Sequence, residues 1–190
     1  MIRLLALLLA WPALAAPVGP DALDTLPPAD VVILGEIHDN AAHHANQARA
    51  VAAIRPRALV FEMLTPAQAG RAVGVDRGDP VALEAALGWA GWPDFMLYHP
   101  VFAAAPGAAI HGGALPREDV RRAIPEGAAA VFGPEAARYG LAAPLTPDDQ
   151  AEREADQAAA HCGGLPVTML PGFVEAQRLR DAALARAVVE

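Results

Sequence analysis

The chain has 190 residues and a formal net charge of −8, with 22 acidic against 14 basic side chains. That balance excludes the basic footprint that nucleic acid requires and an electrostatic hold on anionic lipid. One domain with a real core fits the length, and a single cysteine, Cys162, excludes an intrachain disulfide.

In chain order, residues 1–15 read as a secretory signal peptide. Arg3 is the positive start, residues 4–9 are apolar, and Ala13-Leu14-Ala15 is a small-x-small cleavage site. The apolar run is too short to span a bilayer, so residues 16–190 are expected as one exported, soluble periplasmic domain. A Pro-rich lead covers 17–28. Val31-Val32-Ile33-Leu34 then reads as a buried strand over 30–34. Gly35 allows a turn or the close approach of a ligand. Glu36 and His38 follow, and Asp39 and Asn40 suit a helix N-cap. The helix is expected over 40–54, with His43 and His44 in its first turn and Pro56 closing it. His44, Gln47, Val51 and Ile54 recur along one face.

A second strand over 58–61 ends in Glu62-Met63. Strand, helix and strand in about thirty residues form a βαβ unit with parallel strands. Glu36 and Glu62 should therefore share one sheet edge. Thr65-Pro66 caps the next helix, and a short helix runs through Leu87. Residues 89–102 hold half of the aromatics, punctuated by Gly and Pro, and read as a loop followed by a short helix. A third strand over 108–110 ends at His111. A helix starts near Pro116 and Arg117, residues 125–145 are irregular, a charged helix covers 146–160, and the last helix covers 173–189. The fold class is α/β, a mainly parallel sheet flanked by helices.

In such sheets ligands bind beyond the carboxyl ends of the strands. Glu36, His38, His43, His44, Glu62 and His111 all fall there, and three of them could hold a divalent metal with a position left open for water. Alternatively, Glu36 and His38 form a metal-free acid/base pair. Tyr98 and His99, in the aromatic stretch, are both competent iron ligands. Arg117 could pair a carboxylate or a propionate. There is no serine in the chain, so no serine nucleophile.

Gly35-Glu36-Ile37-His38-Asp39-Asn40, followed by His43-His44 and Gln47, resembles the opening motif of the ChaN-like haem-binding uptake family. That family is similar in turn to the TIKI/TraB and erythromycin-esterase group. Phe61-Glu62-Met63, the spacing of aromatics from Trp89 to Phe102, Leu115-Pro116-Arg117 and Glu175-Ala176-Gln177-Arg178-Leu179-Arg180-Asp181-Ala182 continue the likeness in order. Ala114 stands where the family has Asn. The family's further C-terminal strand, with its second Gly-x-x-His-like element, has no counterpart, so the domain is expected to be C-terminally short. The resemblance implies an exported haem- or iron-binding protein in uptake, with haem held by Tyr98, His99 and Arg117. Its alternative is a metal-dependent hydrolase, TIKI-like or esterase-like, with Glu36 and His38 catalytic and a divalent metal as cofactor. Covalent haem attachment is excluded, because no Cys-x-x-Cys-His occurs. Homodimerisation stays open.

Overall fold

The computed structural model describes residues 17–89, 91 and 93–190. The signal peptide expected over 1–15 lies outside them, as does Trp92. The described elements are helices α1 (Ala41–Ile54), α2 (Pro66–Arg71), α3 (Pro80–Leu87), α4 (Phe95–Ala103), α5 (Arg117–Glu126), α6 (Ala128–Phe132), α7 (Pro147–Ala160) and α8 (Leu170–Val189), and strands β1 (Ala58–Phe61) and β2 (Ala109–Gly112). The two strands are parallel, with Val60 opposite His111 and Phe61 opposite Gly112. No helix among the described residues is long and apolar enough to cross a membrane.

Local chemistry explains where the helices start. Asn40 accepts the backbone N–H groups of Ala42 and His43, at 3.0 and 3.3 Å. Thr65 and Gln68 form a reciprocal capping box at α2, with Pro66 at its first position. Asp79, Asp94 and Thr146 cap α3, α4 and α7, each side chain accepting backbone N–H groups of the first turn. Arg55 takes the left-handed conformation that ends α1. The stretch expected to be irregular contains the five-residue α6, held from outside because Glu175 accepts the Ala128 N–H at 2.8 Å.

The expected first strand is overturned. Residues 31–34 carry no strand pairing, and among the described residues no backbone–backbone hydrogen bond reaches them. Ile33 is 88% exposed and Val31 51%. Among the described residues the sheet therefore has two strands, and neither edge takes this segment up. It is anchored at its C-terminal end, where Leu34 packs against the core and Gln47 of α1 donates to the Leu34 carbonyl at 3.0 Å. The segment still delivers Glu36 and His38 to the start of α1, so the site survives without the strand.

Two apolar clusters hold the fold. The first joins α1, α3 and α4 to the sheet through Leu64, Leu83, Leu87, Phe95 and Phe102, with the Phe61 and Phe102 rings stacked at 4.2 Å. The second lies between α5, α6 and α8 and is alanine-rich, around Ala123, Ala128 and Leu179. Helix α7 buries no residue and stays solvated, as its charges dictate.

Candidate functional site

The site is built where the chain enters α1 and meets α4. Glu36 is its centre. One carboxylate oxygen accepts the Tyr98 hydroxyl and, at 2.7 Å, the Nδ1–H of His38. The other oxygen accepts the Gln47 amide at 2.9 Å and lies 3.4 Å from His44 Nδ1. Burial alone would oppose charge on Glu36. The hydrogen bonds from Tyr98, His38 and Gln47, with His44 behind them, outweigh it and hold the carboxyl below its usual range.

Helix α1 supplies both Gln47 and His44, one turn apart on the face that turns inward. His44 is buried at 1% exposure, and its Nε2–H donates to the His38 carbonyl at 2.9 Å. Helix α4 supplies Tyr98, which is 2% exposed and packed against the His44 and Trp89 rings at 4.2 and 5.0 Å. Burial, then the Glu36 carboxylate, push the phenol far above its ordinary value. Tyr98 is thus a neutral donor inside the protein. Its hydroxyl is turned inward onto Glu36.

The remaining expected residues are dispersed. His43 Nδ1 accepts the Ile37 N–H at 2.9 Å, so its proton sits on Nε2 and the ring is not arranged as a ligand. His99 donates from Nε2 to the Arg77 carbonyl at 2.9 Å. Glu62 pairs with Arg180 of α8 at 2.8 Å, both about half exposed, although its charge is still felt at Tyr98. His111 lies half-buried on β2, and Arg117 is exposed in the first turn of α5. Among the described residues no three His, Cys, Asp or Glu side chains converge to hold a metal ion. The metal cluster expected from Glu36, His38, His43, His44, Glu62 and His111 is therefore not assembled. Its premise was three strand ends at one edge, and residues 31–34 are not a strand. Gln47 is a site residue that is neither a metal ligand nor a base, so residue type alone does not mark it. Its signal was its place on the same helical face as His44.

Beside this network a groove of about 340 Å³ runs between α1 and the turn Pro20–Thr25, lined by Val18, Leu23, Ile33, Leu34, His43 and Gln47 among others. The turn is pinned to α1 by Arg49, which donates to Asp21 and Asp24 at 2.9 and 2.6 Å. A Cβ placed on Gly35, which lines the groove, meets nothing within 4 Å, so there is open space at that point of the wall. The residues present fit a flat apolar cofactor that carries a metal of its own better than a bare ion. They offer a mainly apolar groove whose lining Gln47 also holds the Glu36 carboxylate, and no three-ligand cage among the described residues.

No curated protein matches the chain significantly. Its fold is similar to the solved structure of ChaN of Campylobacter jejuni, described as showing cofacial haem binding. The TM-score is 0.65 at 20% identity, covering 90% of this chain and 68% of that one. The profile of the family described as haem-binding uptake, Tiki superfamily, ChaN matches residues 22–190. With nearly the whole described chain inside that match, the protein belongs to the ChaN haem-binding uptake family of the Tiki superfamily.

Proposed function

We propose that this chain is an exported haem-binding protein that serves haem or iron uptake. The observation that carries this reading is the family match over residues 22–190. The site is compatible with it. A ring nitrogen on a carboxylate-backed imidazole is a competent iron donor, and the neighbouring groove offers an apolar surface. When bound, haem supplies the iron chemistry, while the protein's residues hold and orient the cofactor and shield it from water. Export is supported by Arg3, the apolar run over 4–9 and Ala13-Leu14-Ala15. A soluble periplasmic location would follow.

Haemin titration of the purified protein tests the first part. A saturable Soret shift is expected, and an unchanged free-haemin spectrum would refute haem binding. Metal analysis of the same preparation tests the hydrolase alternative, which needs a stoichiometric divalent ion. For export, the mass of the secreted protein should place its N-terminus at Ala16. Retention of Met1 on exported material would rule the cleavage out.

A further inference from the structure

Residues 17–34 reach the rest of the fold through few polar ties. Among the described residues no backbone–backbone hydrogen bond joins them to any other part of the chain. The turn Pro20–Thr25 buries no side chain. Two side chains of α1 supply the ties, one toward each end of the segment. Arg49 grips the turn, donating to both carboxylate oxygens of Asp24 and to Asp21. Gln47 donates to the Leu34 carbonyl at 3.0 Å, where Leu34 also packs against the core. The same parts enclose the groove. Val18, Pro20 and Leu23 form one wall, and His43, Asn46 and Gln47 of α1 form another.

The two ties are unequal. Gln47 is half-buried and also holds Glu36 at 2.9 Å, so it belongs to a packed network. The Arg49 side chain is 37% exposed, Asp24 50% and Asp21 97%, so water and salt compete for that clamp. A six-residue 3-10 turn has no stability of its own once its outside contacts are lost. Pro27-Pro28 keep the link to the extended segment stiff, so the turn moves as a unit. The groove is also tight. Its volume is at the low end of the about 300–1,000 Å³ typical of pockets for drug-sized ligands. It takes the edge of a macrocycle, and the turn has to move for the ring to seat deeper.

Resting on the haem-binding reading above, we propose that the turn Pro20–Thr25 is a strap latched over the groove by Arg49. Release of the latch lets the turn swing away from α1, while Gln47 and Leu34 hold the far end. Its re-formation closes the strap over a bound ring.

The test compares the full mature chain with Arg49→Gln and with the double variant Asp21→Asn, Asp24→Asn. In haem-free protein, hydrogen–deuterium exchange over residues 21–26 should rise roughly two- to fivefold in both variants, the scale on which an exposed ion pair shifts an opening equilibrium. Residues 44–54 of α1 should keep their wild-type protection. Added salt should move wild type toward the variants and leave the variants where they are. Stopped-flow absorbance with haemin reads the ligand. Both variants should bind and release haemin faster by a similar factor, with affinity nearly unchanged. Their charge changes are opposite in sign, so long-range attraction of anionic haemin would drive the two association rates apart. A latch moves both the same way.

Unchanged exchange over residues 21–26 in both variants overturns the strap. Haemin association that rises in one variant and falls in the other does the same. No Soret shift in wild type refutes the haem reading instead, and the exchange measurement still decides whether the turn opens. Circular dichroism establishes that the variants are folded. If one is not, the salt response of wild-type exchange decides, and its absence overturns the latch.

Discussion

At the residue scale the site rests on an acid and a phenol driven in opposite directions. Glu36 is held below its reference value of 4.5, so its hydrogen-bonded charge stabilises the fold above that value. The contribution is lost as pH falls through the depressed value in the folded state. Tyr98 is raised above its reference value of 10.0, so the fold favours the neutral phenol. Stability falls once pH rises past 10, because the unfolded chain then releases a proton that the folded chain keeps. The haem-free protein should accordingly lose stability between pH 9 and about 11 in denaturant titrations. The pH-dependent part should shrink in Tyr98→Phe. Tyrosinate absorbance provides the direct check. The chain has two tyrosines, and Tyr98 should stay silent until the protein unfolds. A Tyr98 that titrates reversibly near its ordinary value in folded protein would mean that the Glu36 contact is not kept in solution. The sequence made Glu36, His38 and Tyr98 legible as reactive groups. It could not show that Tyr98 turns inward onto Glu36, because that contact spans 62 positions and leaves no local pattern.

At the element scale, the helices were legible because their signals are local. Asn40, Thr65, Asp79 and Thr146 each precede a helix and each accepts the backbone hydrogen bonds that a cap should. A strand is different, since it exists only through a partner. The run Val31-Val32-Ile33-Leu34 has strand composition, yet no neighbouring strand pairs with it, and composition cannot reveal that. Helix α6 escaped for the opposite reason, having only five residues and no capping side chain. The sheet's own close contact is testable. Gly112 ends β2 against the chain entering α2, where the Ala114 N–H donates to the Leu64 carbonyl at 2.8 Å. A Cβ on Gly112 would overlap the carbonyl oxygens of Leu64 and Thr65. Those atoms are backbone and cannot rotate away, so Gly112→Ala should destabilise by about 2–3 kcal/mol or more. By comparison, Asn40→Ala removes one cap and should cost about 1 kcal/mol. Denaturant midpoints at constant m-value measure both. A neutral Gly112→Ala would show that the β2–α2 approach is looser than described.

At the scale of the whole molecule, the α/β character was readable, while the βαβ unit expected over 30–61 does not form, because residues 31–34 pair with no strand. Just after β2, Gly113 passes directly under Leu184 of α8, so a close backbone approach at a glycine brings the end of the sheet against the last helix. Only Leu34 of the extended segment 31–34 packs against a cluster, while Ile33 is almost fully exposed. An uncharged, β-branched segment whose peptide groups lack ladder partners is a template for strand addition. The formal charge of −8 keeps copies apart at low salt, and salt screens that repulsion over distances of about 8–10 Å. Self-association should therefore grow with ionic strength. Ile33→Lys should suppress it, because a charge on an exposed extended edge blocks pairing. The same substitution should change stability by less than about 0.5 kcal/mol, since an exposed side chain has little burial to lose. Leu59→Ala, at a buried position of β1, should instead cost about 2–5 kcal/mol. Light scattering against salt reads the first effect and thermal or denaturant unfolding reads the second. If Ile33→Lys destabilises the chain as much as Leu59→Ala, then residues 31–34 are buried in solution and the segment is a true strand of a larger sheet.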